Sequence, residues 1–143
     1  MLFGIPRAAL ILGLAGLIPF LYGALASWNP SVRWLDLSGE VVLNAYGPVI
    51  FAFMSGVLWG FAAKAGKAAW LWLGLSVLPA ILIFLVMIFS EGEVVAALMV
   101  GFPTLLAVDL LFWRAGLAVP WWPALRVILT AIVTICLYVS LTA

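Results

Sequence analysis

Histidine is absent from these 143 residues, and cysteine occurs once. The first absence removes the commonest metal ligand and the ordinary general base. The second excludes an internal disulfide and any multi-cysteine metal site, because Cys136 stands alone. Without histidine, a haem iron could be held only by Met54, Met87, Met99 or Cys136, which disfavours that cofactor. Charge is also scarce. Asp, Glu, Lys and Arg make up 8% of the chain and the net charge is +1, so there is no basic field for nucleic acid and no acidic tail for a basic partner. No catalytic or ligand-binding motif is present, and the sequence implies no cofactor and no enzymatic activity.

What is present is apolar. Hydrophobic residues make up 69% of the chain, where a soluble domain has roughly half. A chain this short could not bury that surface in itself, so the excess must face lipid. Crossing the hydrocarbon takes about twenty residues of helix. Five segments suffice: 8–27, 41–63, 70–89, 94–113 and, slightly short, 124–141. The fold class expected is an all-α polytopic membrane bundle, with residues 1–143 forming one unit. The first segment follows Arg7 and ends at Ala24-Leu25-Ala26, as a signal peptide would. It is long for a signal core, and Pro19 and Gly23 interrupt it, so it reads as a span. Only 90–93 separate the third and fourth spans, which predicts a tight antiparallel hairpin.

Cationic residues orient such bundles, because cytoplasmic loops collect Lys and Arg. With the N-terminus inside, Arg7, Lys64, Lys67, Arg114 and Arg126 are cytoplasmic and only Arg33 is outside. Asp36, Glu40, Glu91 and Glu93 fall outside. The expectation is N-in, C-out. Among the eight tryptophans, Trp28 and Trp34 mark the outer boundary, and Trp70, Trp72, Trp113, Trp121 and Trp122 the inner one. Trp59 sits about a turn inside the second span. The loop 29–37, opened by Asn29 and Pro30, reads as a short interfacial helix.

Helices in lipid associate where small residues permit close approach. Ala52, Gly56 and Gly60 repeat at fours in the second span, Ala9, Gly13, Gly16, Gly23 and Ser27 run along the first, and the fourth offers Ala97 and Gly101. Close helix packing accounts for these glycines without a ligand. Pro19, Pro48, Pro79 and Pro103 lie inside spans, where each frees a carbonyl that a neighbour must satisfy.

Asp109 is the single acid within a span, and an ionisable group there needs a named partner. Arg114 is five residues on and points well round the helix from it, so Arg126 is the better partner. An ion pair locking the fourth and fifth spans is the plain reading; a proton-exchanging carboxylate is the sharper one and would want further acids. The fifth span carries Arg126, Thr130, Thr134 and Tyr138 at steps of four. Each step overshoots a turn by about 40°, so the stripe spirals, consistent with a polar seam against a helix or partner. Asn44, Ser55 and Ser76 are scattered and supply no opposing seam.

Several segments carry a resemblance. Ile5-Pro6-Arg7 leads into Leu12-Gly13-Leu14-Ala15-Gly16-Leu17-Ile18-Pro19-Phe20. Then come Tyr46-Gly47-Pro48-Val49-Ile50, Ser55-Gly56-Val57-Leu58-Trp59-Gly60, Ser76-Val77-Leu78-Pro79-Ala80, and Gly101-Phe102 with Asp109. Together these resemble an uncharacterised membrane family of proteobacteria and mitochondria, the one containing transmembrane protein sixty-nine. Some members have a polar or basic residue before Trp-Gly, where this chain has Leu58, so no ligand role follows there. The resemblance implies inner-membrane residence and no established activity.

Two functions from different classes fit. One is a non-catalytic accessory or assembly protein bound to a larger membrane complex, respiratory or photosynthetic, or to itself. The other is a small carrier or channel using the proline-kinked helices and Asp109. Contact with lipid or quinone is compatible with either. The residues expected to matter are Asp109, Arg126, Arg114, Thr130, Thr134, Tyr138, Gly56, Gly60 and Trp59.

Overall fold

A computed structural model describes residues 2–66 and 70–143; Lys67, one of the expected cytoplasmic cations, lies outside the described residues. Five helical segments are long and apolar enough to cross a membrane. They comprise α1 (Arg7–Ala15) with α2 (Ile18–Trp28), then α3 (Gly39–Lys64), α4 (Trp70–Phe89), α5 (Val94–Arg114) and α6 (Trp122–Leu141). No strand occurs among the described residues. The expected spans agree with these ends to within two residues, because the punctuation that predicts them also caps the helices. Ser38 Oγ accepts from Val41 N at the start of α3, with Glu40 in the first turn, where a carboxylate favours the helix dipole. A single 3-10 turn at Glu91–Glu93 closes the hairpin between α4 and α5.

The first span departs from a single helix. It breaks between Ala15 and Ile18, and Pro19 stands in the first turn of α2, where its missing N–H costs nothing. At the break itself Gly16 O accepts from Tyr46 Oη of α3 at 3.0 Å. By contrast Pro48, Pro79 and Pro103 sit inside α3, α4 and α5, each continuous across its proline.

The segment after α2 is not one short helix either. It is two single 3-10 turns, Pro30–Val32 and Trp34–Asp36, and positive φ at Leu35 (52°) and Asp36 (58°) prevents helix from propagating. Asn29 caps the first turn, as its position suggested, accepting from Ser31 N at 3.0 Å. The loop is tied back to α2: Tyr22 Oη donates to Leu37 O and accepts from Trp34 N, and Arg33 Nε donates to Ala26 O.

The core runs the length of the bundle. Phe102 of α5 meets Phe20 of α2 and Phe51 of α3 edge-to-face at centroid distances of 5.8 and 5.3 Å. Phe61 of α3 meets Trp122 of α6, and Trp72 of α4 meets Phe112 of α5. The closest backbone approach joins α2 to α3, where a Cβ on Gly39 would run into Gly23 O and come within 2.7 Å of Ser27 N. Gly47 is pressed by Leu98 of α5, and Gly101 by Phe51 of α3.

Gly56 and Gly60 do not belong to this set. Added methyls there would meet nothing within 4 Å among the described residues, so these two glycines of the α3 stripe do not pack within the bundle as expected. The reason is angular: Ser55, Leu58 and Ala62 take the buried side of α3, which turns Gly56, Trp59 and Gly60 outward. The two glycine sets separate experimentally. Gly39→Ala is expected to cost about 1–3 kcal/mol, because backbone rather than a flexible side chain must yield. Gly60→Ala should leave unfolding of the monomeric protein in detergent unchanged or slightly later, and thermal scans of the two variants check both outcomes.

Candidate functional site

The loop between α5 and α6 decides what faces what. After Arg114 the chain turns through Ala115 to Gly116, whose φ of +74° is the left-handed conformation that glycine adopts without strain. Gly116 N donates to Trp113 O and Leu117 N to Phe112 O, the paired bonds of a Schellman cap, and Leu117 folds inward to 7% exposure. Pro123 then occupies the first turn of α6. This compact return brings the last turns of α5 beside the first turns of α6.

There the expected pair forms. Arg126 Nε donates to Asp109 Oδ2 at 2.6 Å. Asp109 is 0% exposed and Arg126 2%, so neither charge has recourse to solvent. The second carboxylate oxygen is taken by Trp122 Nε1, which donates to Asp109 Oδ1 at 2.8 Å. The guanidinium carbon also lies 5.9 Å from the Trp122 ring centroid. Trp122, the first residue of α6 and 7% exposed, is therefore a buried hydrogen-bond donor. Its spacing held the signal: Trp122 and Arg126 are four apart on α6 and share a face.

The cluster borders a cavity of about 430 Å³ between the first span, α3 and α6. Arg126 and Thr130 line it, together with Tyr46, Trp121 and Trp122, and the remaining walls are apolar. Arg126 Nη2 and the hydroxyls of Thr130 and Thr134 are buried without a hydrogen-bond partner among the described residues.

Other candidates fall elsewhere. Arg114 is exposed, turned away from Asp109 as its spacing requires. The stripe on α6 spirals out of the bundle: Thr130 is buried, Thr134 half-buried, and Tyr138 59% exposed. Gly56, Gly60 and Trp59 lie on the outer face of α3, and Leu58 beside them is fully buried. Ser55 and Ser76, which looked scattered in sequence, are brought together, with Ser55 Oγ donating to Ser76 O and joining α3 to α4. Only the contact between helices reveals that pairing. No group of three or more metal-ligating side chains occurs among the described residues.

What the cluster can do chemically is limited. A carboxylate whose two oxygens are occupied by Arg126 and Trp122 is an anchor between helices, with no second acid beside it to receive a proton. Removing one partner of a buried pair strands the other and costs about 3–5 kcal/mol. Asp109→Arg or Arg126→Asp alone should therefore deplete folded protein, and the double reversal should recover most of it. Failure of the double variant to recover, measured as monodisperse protein after extraction, would sink the pair as a structural lock.

The comparisons with known proteins agree with a membrane-spanning chain. Residues 5–142 match the family model described as "Protein of unknown function (DUF3429)". A curated relative, Transmembrane protein 69 of Xenopus tropicalis, is 36% identical over 141 residues, covering 95% of this chain. The chain spans 54% of that relative's length. No solved structure matches. The chain is a multi-pass membrane protein and belongs to the DUF3429 family of unknown function.

Proposed function

We propose that this protein is a non-catalytic accessory or assembly factor of the cell inner (cytoplasmic) membrane, acting by lateral association with a larger membrane complex, respiratory or photosynthetic. The observation that carries the reading is the outer face of α3. Gly56 and Gly60 stand open there, flanked by Phe53 at 62% and Trp59 at 47% exposure, so a partner helix could approach the backbone closely. The neighbouring α4 is the most apolar helix and keeps only 11% of its most hydrophobic window buried inside the bundle. Such surface does no work within the chain itself.

A carrier receives less support. It would need polar groups continuing from one end of the bundle to the other, whereas Asp109 is fully engaged and Pro48, Pro79 and Pro103 interrupt no helix. The N-in orientation is part of the same proposal. Arg7, Lys64 and Arg114 gather at one end, and Asp36, Glu40, Glu91 and Glu93 at the other with Arg33. The turns holding Trp34 and Leu35, 71% and 79% exposed, then lie in the outer interface.

In a Cys136→Ser background, Val32→Cys should react with a membrane-impermeant maleimide in intact cells, and Ala65→Cys only after lysis. The reverse pattern overturns the orientation. For the association, mild extraction of the tagged protein should recover one membrane complex in stoichiometric amount, lost in Gly60→Leu although that variant melts like the parent. A parent that purifies alone as a monomer, indistinguishable from Gly60→Leu, counts against the accessory role.

A further inference from the structure

The break in the first span opens a groove on the side of the bundle. Beyond the break, α2 packs on both α3 and α6 and buries Phe20, Gly23, Ala24 and Ala26, whereas α1 leans on α6 and buries none of its residues. That lean is tight, since a Cβ on Gly13 would lie 3.3 Å from Leu125 and from Leu129. What separates α1 from α3 is the cavity of about 430 Å³, and it opens sideways: Leu12 of α1 and Phe53 of α3 line it and are 72% and 62% exposed. Its accessible lining is largely apolar, supplied by Leu12, Ile50, Phe53 and Val57, with the half-buried Trp121 at the start of α6.

Charge surrounds this groove at one end only. Ile50, Val57 and Lys64 follow one another on α3 at steps of seven, each about 20° short of two full turns, so Lys64 continues the groove face about 10 Å beyond Val57. Arg7 opens α1 at the same end, and both side chains are exposed. Asp36, Glu40, Glu91 and Glu93 belong to the opposite end of the bundle, and Asp109 is buried in its own pair.

From this arrangement we infer that the groove between α1 and α3 seats an acyl chain of an anionic phospholipid, whose phosphodiester head meets Lys64 and Arg7. The chain is selected by the lining and the sideways opening. Water does not stay in an apolar cavity that offers it no partners. A helix about 10 Å across takes roughly 400 Å³ for each turn, so the groove has room for about one turn of a crossing partner and no more. The head is selected by charge. An anionic head meets two cations, whereas a zwitterionic one brings an ammonium that finds no carboxylate among the described residues at that end. The seat follows the cationic end of the bundle, so it stands apart from both the orientation and the accessory role.

Lys64→Gln and Arg7→Gln are the decisive variants, because both side chains are exposed and their loss leaves the core untouched. Detergent-solubilised protein is offered equimolar phosphatidylglycerol and phosphatidylcholine with the same acyl chains, and retained lipid is counted by native mass spectrometry. The parent should keep one lipid and prefer phosphatidylglycerol, and each charge removal should lower that preference about five-fold. Val57→Phe, which fills the groove, should lose both lipids while melting like the parent without lipid. Ala9→Phe makes the same test from the opposite wall. Equal retention of the two lipids by the parent, or a preference unchanged when both cations are removed, overturns the assignment. So does retention unaltered by both filling variants, which would put the lipid on the outer surface. Displacement by glycerophosphoglycerol at equal potency overturns it too, since that leaves a site for the head without a chain.

Discussion

An aspartate sealed from solvent must find its donors within the protein, and in this bundle that demand governs how the last two spans meet. Asp109 is 0% exposed, and its two carboxylate oxygens are met by different residues of the same helix, Trp122 and Arg126, one turn apart on α6. Both bonds form only if α6 begins beside the last turns of α5, so the glycine cap at Gly116 and the inward Leu117 are conditions for the pair and not merely loop geometry. Buried ion pairs add little net stability over apolar packing, but stranding one member is costly. The pair therefore acts chiefly to exclude other rotations and registers of α5 against α6. Trp122 carries that constraint onward, through its edge-to-face contact with Phe61, to α3.

The remaining helices are joined by means suited to lipid, where apolar contact alone discriminates poorly between packings. Backbone approaches at Gly39 and Gly47, single side-chain bonds from Tyr46 and Ser55, and the Phe20–Phe102–Phe51 series each fix one crossing. Ser27 works twice at one end: its Oγ donates to Gly23 O at 2.8 Å and lies 3.0 Å from Ser140 Oγ, tying α2 to the end of α6. The Asp109 cluster ties α5 to α6 at the other end.

The spans were legible in the sequence because length and hydropathy alone decide whether a helix can cross lipid. The Asp109–Arg126 pair was legible for a related reason, since a lone acid in a span admits few partners. Trp122 was hidden because tryptophan near a span end has a second, commoner use at the boundary, and the sequence carries no depth coordinate to separate the two. The glycines misled differently. A repeat at fours says that a backbone can be approached closely; it does not say which of several helices approaches, or whether any does. Gly23 and Gly101 of the noticed stripes make tight contacts, as do Gly39 and Gly47 outside them, while Gly56 and Gly60 meet nothing among the described residues. The break before Pro19 shows the same limit, because the sequence does not say that Tyr46 of α3 stands beside it to donate to Gly16 O.

The satisfied polar groups of the spans follow one pattern. Most hydroxyls in these spans bond back to their own helix or to a neighbour: Ser27, Ser76 and Thr104 to carbonyls three or four residues earlier, Ser55 and Tyr46 across helices. Against that background the buried atoms left without partners are not scattered at random. Arg126 Nη2, Thr130 Oγ1 and Thr134 Oγ1 all lie on α6, at successive steps of four. Among the described residues these are the buried side-chain atoms left without a partner, and all three belong to the helix that also holds the Asp109 pair.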